Sequence, residues 1–139
     1  MNHDTQTKIY TDGVVTAVFD KEAGTLTFSG NGAVGYTSQW LKYLEFKDRV
    51  FVRTIVFENG ITSVGNGEFN YDKQYINLER IIFQGDINAI GAGAFYGNRN
   101  LTMVRFGGKC RAIEKDVFRG CPSIDSINIP NECHVEISI

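Results

Sequence analysis

A spacing of 23 residues recurs through the second half of the chain and limits what it can fold into. Units beginning at Leu78, Leu101 and Ile124 lie 23 residues apart, and the unit before them, beginning at Val52, is three residues longer. The surplus lies in NYDKQYIN, which stands where YGNRN and RGCPS stand later. Counted from each unit's first residue, apolar side chains return at +3 (Ile55, Ile81, Val104, Ile127) and +5 (Phe57, Phe83, Phe106, Ile129). They return again at +9 (Ile61, Ile87, Cys110, Cys133), at +12 (Val64, Ile90, Ile113) and at +17 (Phe69, Phe95, Phe118). Such self-similarity marks a stacked-repeat solenoid, in which neighbouring units bury one another's apolar faces in a continuous core.

Within a unit, +3 and +5 share one side of a strand, so +2 and +4 point outward. A second extended piece covers +9 to +12, with Gly65 and Gly91 following it as candidates for positive φ. From +17 a turn or single helical turn returns the chain to the next rung. The positions +0, +3, +5, +9, +12 and +17 are the predicted core.

With 139 residues the chain has the length of one domain, and 42% apolar content suffices for a continuous core. A net charge of −2 argues against an electrostatic nucleic-acid binder. The basic third unit (Arg105, Lys109, Arg111, Lys115, Arg119) reads as a solvated face. Met1–Tyr10 lacks the apolar core of a signal peptide, and no apolar run approaches the roughly 20 residues of a membrane span. Cys110 and Cys133 share +9 and should be neighbours on adjacent rungs as stacked free thiols, with a disulfide between them the open alternative. No CxxC occurs, and the two histidines are His3 and His134, so no metal site is expected.

Upstream, residues 1–13 read as a disordered terminus or an expression remnant. Residues 14–29 read as a β-hairpin around Lys21–Gly24, with Leu26 and Phe28 turned inward and Thr25, Thr27 and Ser29 outward. The Gly30-NGAVG stretch matches GxGxxG, and with the helical Ser38-QWLKYLEFKD (Trp40, Leu41 and Leu44 on one side) and Glu58 it imitates a dinucleotide fingerprint. That reading fails. TLTFS alternates, as a half-exposed antiparallel strand does, and Tyr36, Thr37 and Ser38 lie among the residues between the glycines and any helix start. The glycines read instead as a tight turn leaving the hairpin, within an N-terminal cap spanning residues 14–51.

The unit resembles the leucine-rich repeats of the BspA-like, or Treponema pallidum, type, whose pattern runs LxxIxxPxxVxxIGxxAFxxCxxL. Leu78, Ile81, Ile87, Ile90, Gly91, Ala94, Phe95 and Leu101 match it, as do Ile113, Phe118, Cys121 and Pro130. The chain departs from it with Phe at +5, without the strand-ending Pro in the first three units, and with Glu68 where Ala is usual. The resemblance implies an α+β repeat solenoid: a short, right-handed leucine-rich-repeat stack of about three full rungs with a parallel β-sheet and an N-terminal β-hairpin cap. Its repeats would occupy 52–77, 78–100, 101–123 and a partial 124–139. It also implies a secreted or cell-surface bacterial protein with a role in adhesion, bound to a protein or glycan such as a host surface component.

The chain shows no GxSxG, HExxH or P-loop, and its carboxylates fall at unrelated repeat positions. No catalytic residue, cofactor or metal is expected, and a hydrolase or nucleotide-binding enzyme is the remote alternative. The expected binding surface is the outward face of the strands: Thr54, Arg80, Met103 and Ser126 at +2, Val56, Ile82, Arg105 and Asn128 at +4, and Glu58 and Gln84 at +6. Apolar residues bordered by Arg are favoured at protein interfaces. Neither nucleic acid nor membrane insertion is expected. Cys133–Ile139 alternates with no polar cap after it, so it should form a last edge strand. The alternative function is therefore a structural segment of a longer array, or a homodimer through that edge.

Overall fold

The computed structural model describes residues 7–35 and 44–136. They form a β-solenoid of two sheets. The strands are β1 (Thr7–Thr11), β2 (Val15–Asp20), β3 (Thr25–Gly30), β4 (Gly32–Val34), β5 (Thr54–Phe57), β6 (Ile61–Val64), β7 (Arg80–Phe83) and β8 (Ile87–Ile90). They continue with β9 (Met103–Phe106), β10 (Cys110–Ile113), β11 (Ser126–Ile127) and β12 (His134–Val135). The long sheet has the order β1-β2-β3-β5-β7-β9-β11, and the shorter one β12-β10-β8-β6-β4.

From β3 to β11 the long sheet is parallel and in strict register, with Leu26, Ile55, Ile81 and Val104 aligned across it. Each rung crosses from the long sheet to the short one and returns through a turn. The turns form a third wall. The amides of Gly67, Phe69 and Tyr71 donate to the carbonyls of Ala92, Ala94 and Tyr96, and those of Gly93, Phe95 and Gly97 to Lys115, Val117 and Arg119, at 2.8–3.2 Å. Backbone pairing between rungs therefore runs around the whole cross-section.

Two aromatic columns fill the interior. Phe28, Phe57, Phe83 and Phe106 stack with ring centroids 5.3, 4.9 and 5.0 Å apart. Phe69, Phe95 and Phe118 stack at 5.5 and 6.0 Å. The columns meet edge to face: Phe57 contacts Phe69 at 6.0 Å and Phe95 at 6.4 Å. Phe at +5 builds the first column. The missing proline at +6 has its own consequence: the amides of Glu58, Gln84 and Gly107 donate to Phe28, Phe57 and Phe83 at 2.9, 2.8 and 2.6 Å, bonds a proline could not make.

Several expectations are corrected. Residues 7–11 are not a disordered terminus: they form β1, antiparallel to β2, and Lys8 Nζ lies 2.8 Å from the buried Asp48 carboxylate. The hairpin and the glycine stretch make a complete first rung rather than a turn-ended cap. β3 is antiparallel to β2 but parallel to β5, and Gly32–Val34 is a strand parallel to β6. Alternation in TLTFS did not exclude a parallel neighbour, because a solenoid sheet exposes one face whatever its strand direction. Four rungs therefore precede the partial one begun by β11.

Gly30 has φ +111°, and a Cβ there would strike the Val14 carbonyl, so the GxGxxG glycines serve a corner between the sheets. Positive φ falls at Gly67, Gly93 and Asp116, two residues after the expected Gly65 and Gly91. Gly91 instead permits close stacking, since a Cβ would lie 2.8 Å from the Gly65 carbonyl carbon. Of the expected helix, α1 (Phe46–Arg49) is the described part, with Leu44 buried just before it; Trp40 and Leu41 lie outside the described residues.

The predicted core is buried at +0, +3, +5, +9 and +12 from β5 to β10, but not in the last rung. Ile127 is 38%, Ile129 45% and Val135 39% exposed, and Ile124, Cys133 and Phe118 are half-buried. No described rung lies beyond them. β12 pairs with β10 as expected of the Cys133–Ile139 strand, while residues 137–139 lie outside the described residues. Phe95 is fully buried with stacked neighbours on both sides, so Phe95→Ala should lower unfolding free energy by about 3–5 kcal/mol. Half-buried Phe118 at the column's end should lose under about half of that when changed to Ala; urea unfolding of both variants checks the gradient.

Candidate functional site

The ten sequence-predicted residues are carried on or just past the long sheet's strands, turned away from the buried +3 and +5 side chains. Thr54, Arg80, Met103 and Ser126 are register partners across β5, β7, β9 and β11. Val56, Ile82 and Arg105 form the neighbouring row. Thr54, Val56, Glu58, Ile82 and Met103 are half-buried, whereas Arg80, Gln84, Arg105, Ser126 and Asn128 are exposed.

Asn128, though exposed, is also engaged by the neighbouring strand. Its side-chain oxygen accepts from the Phe106 amide at 3.2 Å and its nitrogen donates to the Phe106 carbonyl at 3.3 Å. The equivalent carbonyls of earlier rungs take an amide from +6, but +6 here is Pro130, which has none to give. The Asn128 amide completes the edge of β9 in its place.

Register also extends the face in a direction the repeat does not announce. Val56 pairs with Thr27, Thr27 with Val18, and Val18 with the exposed Ile9. One row therefore reads Ile9, Val18, Thr27, Val56, Ile82, Arg105 across six strands. The adjoining row reads Thr7, Asp20, Thr25, Thr54, Arg80, Met103, Ser126. At about 4.8 Å per strand the row spans roughly 24 Å, of which Ile9 to Ile82, before the charged Arg105, is roughly 19 Å. The signal missed in the sequence was the alternation of Lys8-Ile9-Tyr10 and Val15–Asp20, which continues the same parity. The hairpin joins the sheet sideways rather than lying over its outer face.

The charges sit at the border. Arg80 and Arg53 both reach Glu79, at 3.4 and 3.1 Å, in exposed pairs worth little stability. Arg105 forms no ion pair among the described residues. The basic third unit does not converge. Arg105 faces out from the long sheet, Arg111 from the short one, and Arg119 stands on the turn wall 3.6 Å from Asp116. Among the described residues no three of His, Cys, Asp and Glu gather as a metal site, and no helix is long and apolar enough to cross a membrane.

The half-buried Glu68 and the buried Cys110 lie apart from this face. Glu68, in the +16 place of Ala94, is held above the usual carboxylate range chiefly by burial. Cys110 and Cys133 are free thiols on neighbouring rungs; burial, then a hydrogen bond with Cys133, pushes Cys110 up to about 12. A buried thiol held protonated in this way reacts slowly, whereas Cys133 is half-buried. Iodoacetamide at that pH should alkylate Cys133 well before Cys110, as peptide mass spectrometry of a time course would show.

A model of the BspA type leucine rich repeat region matches residues 41–137, in six copies. Among solved structures, the chain is similar to a leucine-rich repeat protein from Eubacterium ventriosum, at 19% identity and a TM-score of 0.54, covering 95% of this chain and 43% of that one. A leucine rich cell surface protein from Faecalibacterium prausnitzii also matches, at 18% identity and a TM-score of 0.49, over 91% of this chain and 38% of that one. The chain spans less than half the length of these two structures. No curated protein sequence matches it.

Proposed function

The chain belongs to the BspA-type leucine-rich repeat family, and from that premise we propose that it is a non-enzymatic module that binds a protein partner through the outward face of its long sheet. The observation that carries the reading is the six-strand row from Ile9 to Arg105. Its β-branched side chains form an apolar strip bordered by Arg80 and Arg105, the composition that interfaces favour. An in-register sheet, its backbone paired from rung to rung, has little ordering entropy to lose on binding. The mixture of Asp20, Glu58 and Arg on the same face fits protein better than nucleic acid. Location outside the cell or at its surface, and a role in adhesion, belong to the same reading by family resemblance.

The double variant Ile82→Glu with Arg105→Glu tests it. A partner is first captured by the immobilised chain, identified and purified, and its affinity for both forms is then measured by biolayer interferometry. Affinity should fall at least about a hundredfold, with unfolding free energy within about 1 kcal/mol of the parent. Undiminished affinity in the folded variant moves the site off this face.

A second reading, an assembly element, rests on the last rung. Ile127 and Val135 are exposed on β11 and β12, each the outermost strand of its sheet among the described residues. Edge strands with apolar side chains invite pairing with a second copy. Sedimentation equilibrium should show a dimer at high concentration that Ile127→Lys with Val135→Lys dissociates; a monomer throughout counts against it.

A further inference from the structure

The turn wall carries a groove unrelated to the sheet face. Its volume is about 640 Å³, within the roughly 300–1,000 Å³ of small-ligand sites. Tyr71, Gly97 and Gly120 share the +19 position of three successive units, and Tyr96 stands at +18. The Tyr71 ring lies over Gly97 and the Tyr96 ring over Gly120: a Cβ on either glycine would come within 2.9 Å and 3.1 Å of those rings. Both glycines have positive φ, +79° and +75°, so the bare floor is built into the backbone. The two rings meet edge to face at 5.7 Å and remain 54% and 39% exposed.

The polar inventory of the groove narrows what could occupy it. Arg99 lines it, is exposed, and forms no ion pair among the described residues. No carboxylate or side-chain amide lines it, so the paired hydroxyls of a neutral sugar lack the acceptors that would fix them, and only the phenols and the guanidinium remain to meet them. The amides of Tyr71, Tyr96, Gly97 and Cys121 are already bonded within the wall, so the groove offers no continuous strand edge for an extended peptide. What remains are aromatic faces, phenol hydroxyls and an unopposed guanidinium. Their complement is a saturated ring with an apolar face, carrying a carboxylate that a guanidinium grips through two parallel bonds.

We propose that this groove is a binding site for an acidic glycan, a pyranose bearing a carboxylate, stacked on Tyr71 and Tyr96 with its carboxylate on Arg99. The site is independent of the sheet face. Calorimetric titration with 3′-sialyllactose and with a hyaluronan tetrasaccharide should show saturable binding of at least one, and lactose at the same concentrations none. Arg99→Gln, on an exposed side chain, should weaken that binding at least about tenfold while melting like the parent, and Tyr96→Ala should weaken it as much while keeping the parent's circular dichroism spectrum, with some loss of melting temperature because its ring packs on Tyr71 and Gly120. The Ile82→Glu with Arg105→Glu form should bind the same oligosaccharide unchanged. The proposal is overturned if neither acidic oligosaccharide binds, if lactose binds equally, if the two groove variants bind like the parent, or if a proline-rich decapeptide takes the groove in their stead.

Discussion

The two phenylalanine columns set the dimensions on which the rest of the molecule depends. Strands in a sheet are about 4.8 Å apart, and the rings of Phe57, Phe83 and Phe106 repeat at 4.9 and 5.0 Å with their planes within 10° of parallel. The hydrogen-bond ladder and the stacking thus demand the same period and reinforce each other. On the turn wall, which is also hydrogen-bonded from rung to rung, the second column is spaced wider, at 5.5 and 6.0 Å. Because the columns touch edge to face, the side-chain length of Phe fixes how far the turn wall stands from the long sheet. A smaller residue at +5 or +17 would leave a void that both neighbouring rungs line.

That constraint explains which parts of the fold could be read from residues alone. Ile55, Ile61, Val64 and Phe69 announce themselves because stacking makes each repeat the environment of the next. Their burial follows from the period without any knowledge of the turns. The first rung escaped the same reading because its period is stretched: Leu26 precedes Ile55 by 29 residues, and Gly32 occupies the place of Ile61. A glycine carries no hydrophobic signal, and the register shift between Gly32 and Ala33 hides the equivalence of Val34 and Val64. β1 was hidden for a different reason. Thr7–Thr11 buries no side chain fully and is held by its ladder to β2 and the Lys8–Asp48 pair, neither of which has a sequence signature.

The candidate face was legible to the same depth. Parity alone places Val56, Ile82 and Arg105 outward, so the rows on β5, β7 and β9 follow from the period. Their extension through Thr27 and Val18 to Ile9 does not, because it depends on an antiparallel hairpin choosing the sheet's edge over its surface. Asn128 shows the limit of positional reasoning. The +4 offset assigns it to the surface, yet the proline two residues later changes its task. The neighbouring rung's carbonyl still needs a donor, and the nearest side-chain amide supplies one.

A repeat protein's core positions are bound to their neighbours, so what distinguishes one rung from the next must sit where the stack makes no demand. The +19 position illustrates this. Tyr71 occurs in the unit whose return is three residues longer, where a 3₁₀ turn over Tyr71–Lys73 is closed by Asn70 accepting from the Asp72 amide at 3.0 Å. The next two units place glycine at +19 with positive φ, and those glycines leave room for the ring from the rung before. Had all three units carried tyrosine, each ring would have lain on another and the wall would be flat and continuous. Had all carried glycine, there would be no aromatic face. The groove exists because the repeat is broken once, at its first unit, and the core tolerates the break because Tyr75 turns inward from the same insertion and packs edge to face on Phe69 at 5.4 Å.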